Sequence, residues 1–251
     1  MSEVKKHRLK NYDQVFGLYC AGVRSGLKKV INKGRLSFLG CRYTQEAETE
    51  IIAAGPGSTG QVALTPAALK GIMPGLSQAL AKKYTPVLNA AMQEFGINTP
   101  FRRNMFLAQV AHESNDLKWL VEKSAKGKTA EEYFKKYDNR ADLGNNQPGD
   151  GARFRGRGII QITGRKNYEQ VGKGLNLDLV DKPHLLQEPS IAIRASAYWW
   201  KKNGLNIHVD KFPYDILGAS VSVNGINKHG LPNHLEERKQ RFVRVSKLLG
   251  I

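Results

Sequence analysis

Apolar residues recur at helical spacing along most of the chain beyond residue 65, and helix-end chemistry separates the recurrences. Thr65-Pro66 ahead of AALKGIM supplies an N-cap threonine and a proline at the first helical position. A second helix is predicted over 77–95, broken or kinked at Pro86 and ended by Gly96 as a glycine cap. Pro100 opens a third through FRRNMFLAQVAHES, and SIAIRASAYWWKKN over 190–203 reads as another, stopped by Gly204. The closing LEERKQRFVRVSKLL is amphipathic and basic. Glycines and polar residues fill 144–164, and alternating strand patterns are scarce. The pattern predicts a mainly α-helical domain with an irregular, glycine-rich centre. The stretch AGPGSTG over 54–60 has the composition of a linker, which divides the chain into a basic N-terminal segment, 1–60, and a larger domain, 61–251.

Charge adds a preference for partners. The 251 residues carry a formal net charge of +17, which draws a protein toward polyanions such as nucleic acid, anionic lipid or acidic envelope polymers. Residues 1–60 hold 10 Lys and Arg against 5 acids, and 61–251 hold 29 against 17, so both parts are basic. Cys20 and Cys41 are too few for a disulfide framework or a zinc finger, and two free thiols are expected. The apolar run 15–23 is too short to span a bilayer and makes a poor signal-peptide core. A protein built this way is expected to need help to leave the cytoplasm.

Glu113 is the first chemical anomaly. On a helical projection it shares a face with Phe106, Val110 and Leu117, and a carboxylate among apolar neighbours holds its proton more tightly, as a general acid must. The alternative is a carboxylate at the edge of the stripe that caps or pairs with something. A zinc protease would need a second histidine four residues after His112, where Asp116 stands, so no metal or other cofactor is expected. The segment GDGARFRGRGIIQITGRKNY lacks the Gly-Lys-Ser/Thr of a P-loop, and neither a strand before it nor a helix opening from it is evident, as a dinucleotide fingerprint would need. Its arginines, Arg153, Arg155, Arg157 and Arg165, alternate with small residues, but Phe154 and Tyr168 alone are a thin platform for stacking bases. No specific nucleic acid is expected.

AQVAHES followed by RFRGRGIIQITGRKNY resembles glycoside hydrolase family 19, which contains chitinases and many phage endolysins. The resemblance covers roughly residues 65–251 and implies a lysozyme-like helical fold with a glycine-rich central cleft. It implies that Glu113 protonates the leaving glycosidic oxygen and that Glu122, in WLVEKS, activates water as the base. Nine residues on one unbroken helix would put the two on opposite faces, so the helix is expected to break at 114–116. The resemblance further implies that Thr163 helps hold the nucleophilic water. Gln161 and Asn167 match positions that bond the N-acetyl groups, and His112 and Tyr168, in the same motifs, are candidate substrate contacts, with a core role for the Tyr168 ring equally open. VNGINKHG makes Asn224 a substrate ligand, although Ile226 replaces the family's second glycine. Arg238, or else Arg241, is the candidate for an arginine that steadies the base. Trp199 and Trp200 are candidates for sugar stacking or for the core.

Few cysteines, no leader and the segment GNNQPGDG resemble the compact phage branch more than the plant branch. The expected function is therefore that of an endolysin, a monomeric, inverting, muramidase-type hydrolase of the β-1,4 glycan strand of bacterial peptidoglycan. It would be released from the host cytoplasm to the periplasm and wall by a holin. The N-terminal segment is a candidate arm for the wall or membrane. The alternatives are a chitinase acting on N-acetylglucosamine polymers, a lytic transglycosylase, which needs one acid only, or a non-catalytic basic protein that binds wall or nucleic acid. The C-terminal helix is also a candidate for disrupting outer membranes directly.

Overall fold

A computed structural model describes residues 63–251 of the chain. The N-terminal segment, the two cysteines, the 15–23 run and the linker lie outside the described residues. The rest is mainly helical: α1 Pro66–Ile72, α2 Gln78–Glu94, α3 Pro100–Glu113, α4 Ala130–Phe134, α5 Asp150–Arg153, α6 Arg165–Leu175, α7 Pro189–Lys202, α8 Leu205–Lys211, α9 Ile216–Asn224 and α10 Leu235–Leu249. The β structure among the described residues is two isolated bridges, Val121 with Arg157 and Arg157 with Ile162.

Local chemistry sets the helix ends. The hydroxyls of Thr65, Ser77 and Thr99 accept from the backbone N–H three residues on, at the starts of α1, α2 and α3. At the end of α2, Gly96 adopts φ +68° while its N–H and that of Ile97 donate to Gln93 and Met92 carbonyls, a Schellman closure. Pro86 does not break α2, which runs on through it.

The centre of the domain is α3. Every residue from Arg103 to Ala111 is buried, so the helix has no solvent-facing side along that stretch. The most extensive helix contact runs between α10 and α3, and α7 packs on α2. Phe106 meets Trp200 of α7 edge-on at 5.5 Å, and Phe242 and Val245 of α10 are fully buried. Each such side chain stabilises the fold by about 1.5–3 kcal/mol. The core thereby fixes the C-terminal end of α3, where Glu113 stands, against α10.

Candidate active site

At Glu113 the helix stops. The next residue, Ser114, turns its hydroxyl back onto the Val110 carbonyl (2.7 Å) and accepts from the Leu117 N–H (2.8 Å). Three successive non-glycine residues then take left-handed backbone, Asn115 (φ 46°), Asp116 (φ 60°) and Leu117 (φ 61°). Such residues cost about 1–3 kcal/mol each and persist only where their surroundings over-determine them. Here the surroundings are specific. The buried Asp116 carboxylate accepts from Arg241 Nη1 (2.6 Å) and from the Gly75 N–H (2.9 Å), and Leu117 is buried. The break falls where it was expected, and its consequence is that Glu122 leaves the helix altogether. Leu117 lies beyond α3, so the stripe with Phe106, Val110 and Glu113 drawn from helical spacing is not continuous.

Glu113 pairs with a cation, the alternative that helical spacing had left open. Its Oε1 accepts from Arg238 Nη2 (2.5 Å), and its side chain is 15% exposed against 1% for Arg238. The guanidinium also donates from Nη1 to Gln109 Oε1 (2.6 Å) and from Nε to the Asn233 carbonyl (3.0 Å). Gln109 in turn donates to Ser220 of α9 (3.0 Å). Arg238 therefore steadies Glu113; the expectation that it steadies Glu122 is corrected. Arg241 serves Asp116. Among the described residues Glu113 Oε2 has no hydrogen-bond partner, which leaves one carboxylate oxygen for a ligand.

His112 lies beside this pair, its Nδ1 3.8 Å from Glu237 and its ring 5.7 Å from that of His234. Burial lowers its pKa to about 4, helped by the positive Arg238 and Arg241 and opposed by Glu237, so the imidazole is neutral near pH 7. Asn224, exposed at the end of α9, joins the same group indirectly: its Oδ1 accepts from the Asn233 N–H (3.0 Å), the residue whose carbonyl holds Arg238.

Glu122 is held by neutral donors. Its backbone N–H donates to the Gly156 carbonyl (2.8 Å), and its carboxylate accepts from the Gly156 N–H (3.2 Å) and the Tyr137 hydroxyl (3.1 Å). Burial raises the Tyr137 pKa, and the neighbouring carboxylate adds to the effect, so this hydroxyl keeps its proton and donates. Gly156 is required by close approach. A Cβ there would stand 2.7 Å from Gln161 Oε1 and 3.1 Å from Glu122 Oε2, so both acceptors converge on the space that the missing side chain leaves.

The glycine-rich stretch forms the narrow hairpin that carries Gln161 and Thr163. Gln161 adopts φ 53° and donates from Nε2 to the Gly158 carbonyl (2.9 Å). Thr163 donates to the Gln161 carbonyl (2.9 Å), and the exposed Asn167 donates to the Thr163 carbonyl (2.7 Å). Gln161 and Glu122 are thus brought together, with Thr163 two residues on. Tyr168 is not part of the surface: it is fully buried, edge-on to Phe154. Its hydroxyl donates to the Arg155 carbonyl (2.6 Å) and accepts from Arg157 (2.9 Å). Burial pushes its pKa up to about 12. Of the two roles open to it, substrate contact is corrected and the core role stands.

Of the two roles open to Trp199 and Trp200, the core is the one observed. Trp200 is core, donating to Asn206 (3.0 Å), and Trp199 is half-buried beside it. Trp119, on the segment between the two glutamates, is 59% exposed. Tyr137 and Gln109 were also missed; an exposed aromatic three residues before Glu122 was the one local signal available. Among the described residues no three His, Cys, Asp or Glu side chains converge as a metal site.

Residues 92–207 match the glycoside hydrolase 19 family described as Chitinase class I, a stretch that contains both glutamates and the 156–163 hairpin but ends before Asn224 and Arg238. A glycosyl hydrolase family 19 domain-containing protein of Haemophilus influenzae is 29% identical over 137 residues, 45% of this chain and 68% of its own. An endochitinase of Arabidopsis thaliana is 29% identical over 208 residues, 79% of this chain and 68% of its own. The fold is that of chitinase C from Streptomyces griseus, with a TM-score of 0.58 at 20% identity over 77% of this chain and 79% of that one. A bacterial family 19 chitinase superposes with the same TM-score at 21% identity, over 76% of this chain and 96% of its own.

Proposed function

We propose that this chain, whose residues 92–207 match the glycoside hydrolase 19 family, cleaves β-1,4 bonds in a glycan of N-acetylated hexosamines, with Glu113 and Glu122 as acid and base. The reading rests on one arrangement: two carboxylates on separate elements, one fastened to a buried cation with an oxygen left over, the other in neutral hydrogen bonds beside Gln161. Glu113 gives its proton to the glycosidic oxygen as the C1–O bond breaks. Glu122 takes a proton from the water that bonds to C1 from the opposite face, and the anomeric centre inverts. The water sits near Thr163, and Gln161, Asn167 and Asn224 are amide groups suited to N-acetyl substituents.

The relatives named endochitinases favour an N-acetylglucosamine polymer as substrate. The +17 charge favours a second one, the glycan strand of peptidoglycan, and with it an endolysin role in which a membrane pore formed by another protein gives access to the wall.

The test is digestion of chito-oligosaccharides and of purified peptidoglycan by the wild type, Glu113→Gln and Glu122→Gln, with mass spectrometry and anomer-resolved NMR of the products. Each variant is expected to lose roughly a hundred- to ten-thousandfold in kcat. Reducing ends of inverted configuration support the two-carboxylate reading. Anhydro ends with an active Glu122→Gln would replace it with a transglycosylase, and a wild type inert on both polymers would remove it.

A further inference from the structure

The segment that leaves Glu122 is unusually positive. Lys123-Ser124-Ala125-Lys126-Gly127-Lys128 holds three lysines and no acid, and all three are exposed. None has a hydrogen bond or ion pair among the described residues. Of the two acids that follow, Glu132 turns its carboxylate back onto the Thr129 N–H (2.9 Å) as half of a capping box. The segment closes in a tight turn, Lys128 N–H to the Ala125 carbonyl (3.1 Å), with Gly127 at φ +82°. A Cβ built on Gly127 meets nothing within 4 Å, so the turn projects into open space. Its base is anchored, because the Glu122 N–H is tied to Gly156. The backbone of Lys126 lies four residues from Glu122, at most about 14 Å along an extended chain, a span covered by a few linked sugar rings.

We infer that Lys123, Lys126 and Lys128 form a subsite for carboxylate groups carried on the glycan being cleaved, so that the enzyme selects an acid-substituted strand over a neutral one. Three unpaired ammonium groups on one short turn cost self-repulsion unless an anion bridges them. The chain's own N-terminal segment is a poor occupant, since residues 1–60 are themselves net basic. A neutral N-acetylglucosamine polymer offers the lysines nothing, whereas a strand bearing carboxylated substituents offers an anion at intervals along the groove. The inference rests on the glycosidase reading and names its substrate class.

Carboxymethyl chitin and glycol chitin share one backbone and differ in the carboxylates, so the ratio of their kcat/KM values isolates the effect. The full-length wild type is expected to prefer carboxymethyl chitin, the preference shrinking as salt rises. In the triple variant Lys123→Gln, Lys126→Gln, Lys128→Gln the ratio should fall about tenfold, the scale of three surface charge contacts. A charge-matched control, Lys82→Gln, Lys83→Gln, Lys201→Gln, should keep the wild-type ratio, as should the triple Lys→Arg variant. A ratio unchanged in the first variant, or lowered equally in the control, overturns the subsite. Should the wild type cleave neither polymer, the glycosidase reading fails by itself. Affinity electrophoresis through carboxymethyl chitin then decides the subsite: retention lost only in the first variant upholds it, and equal mobility sinks it.

Discussion

On the helical side of the site, Glu113 ends a helix buried all round and is fastened to a guanidinium that is 1% exposed and wired to Gln109, Ser220 and Asn233. On the glycine-rich side, Glu122 sits on a bridge-like segment and is held by one backbone N–H and one phenol. The first carboxylate compensates a buried charge, and the second compensates none. The two sides also share their stability unequally. The helical side is part of the core, whereas the Glu122 side depends on a close approach that a single methyl group at Gly156 would block.

The sharpest way to break this comparison is to remove each charge without changing shape. Glu113→Gln leaves the buried Arg238 without a counter-charge, and a loss of about 3 kcal/mol is expected in urea unfolding. Glu122→Gln should cost under about 1 kcal/mol, because its partners are neutral and the Tyr137 hydroxyl can turn to accept from the new amide. Equal losses in the two variants would show that the Arg238 network does not carry the stability assigned to it.

A second test uses pH. In the folded protein His112 stays neutral down to about pH 4, whereas in the unfolded chain it takes up a proton near pH 6.5. Between those values the unfolded state binds more protons. Stability is therefore full above about pH 6.5 and falls as pH drops toward about 4, by up to about 3 kcal/mol. Glu237 draws a proton toward the ring, while Arg238, Arg241 and His234 oppose it. Unfolding free energies at pH 7 and pH 5 should differ less in His112→Gln than in the wild type. If the variant loses as much as the wild type, the acid sensitivity comes from other groups.

What was legible in the sequence was local. Thr65, Ser77, Thr99, Gly96 and Gly204 punctuate helices through bonds to residues three or four positions away, and the family motifs singled out Glu113 and Glu122 as candidates. What was not legible was non-local. Arg238 lies on a basic amphipathic helix, where spacing assigns an arginine to solvent; it is buried because Glu113, 125 residues earlier, meets it. Glycine content concealed α5 inside 144–164, because those glycines serve contact. A Cβ on Gly151 would lie 2.1 Å from the Phe134 carbonyl oxygen. Helical periodicity placed Leu117 on α3 because spacing cannot register a left-handed turn made without glycine. Tyr168 matched its motif, yet its burial depends on Phe154, Arg155 and Arg157 meeting across the hairpin.

Trp119 offers the smallest and cleanest perturbation, since it lies on the connection between the two sides. Its ring is 59% exposed, so it contributes little to folding, and exposed substitutions usually change stability by less than about 0.5 kcal/mol. A rigid apolar face on the segment that joins Glu113 to Glu122 is suited to lie against a sugar ring, where it buries area at low entropic cost. Trp119→Ala is therefore expected to raise KM several-fold on a polymeric substrate and to leave kcat and the thermal midpoint nearly unchanged. A drop in midpoint of several degrees would mean that the ring packs against the protein in solution. Unchanged KM would mean that substrate passes it by, and binding would then rest on the amides of the glycine-rich side alone.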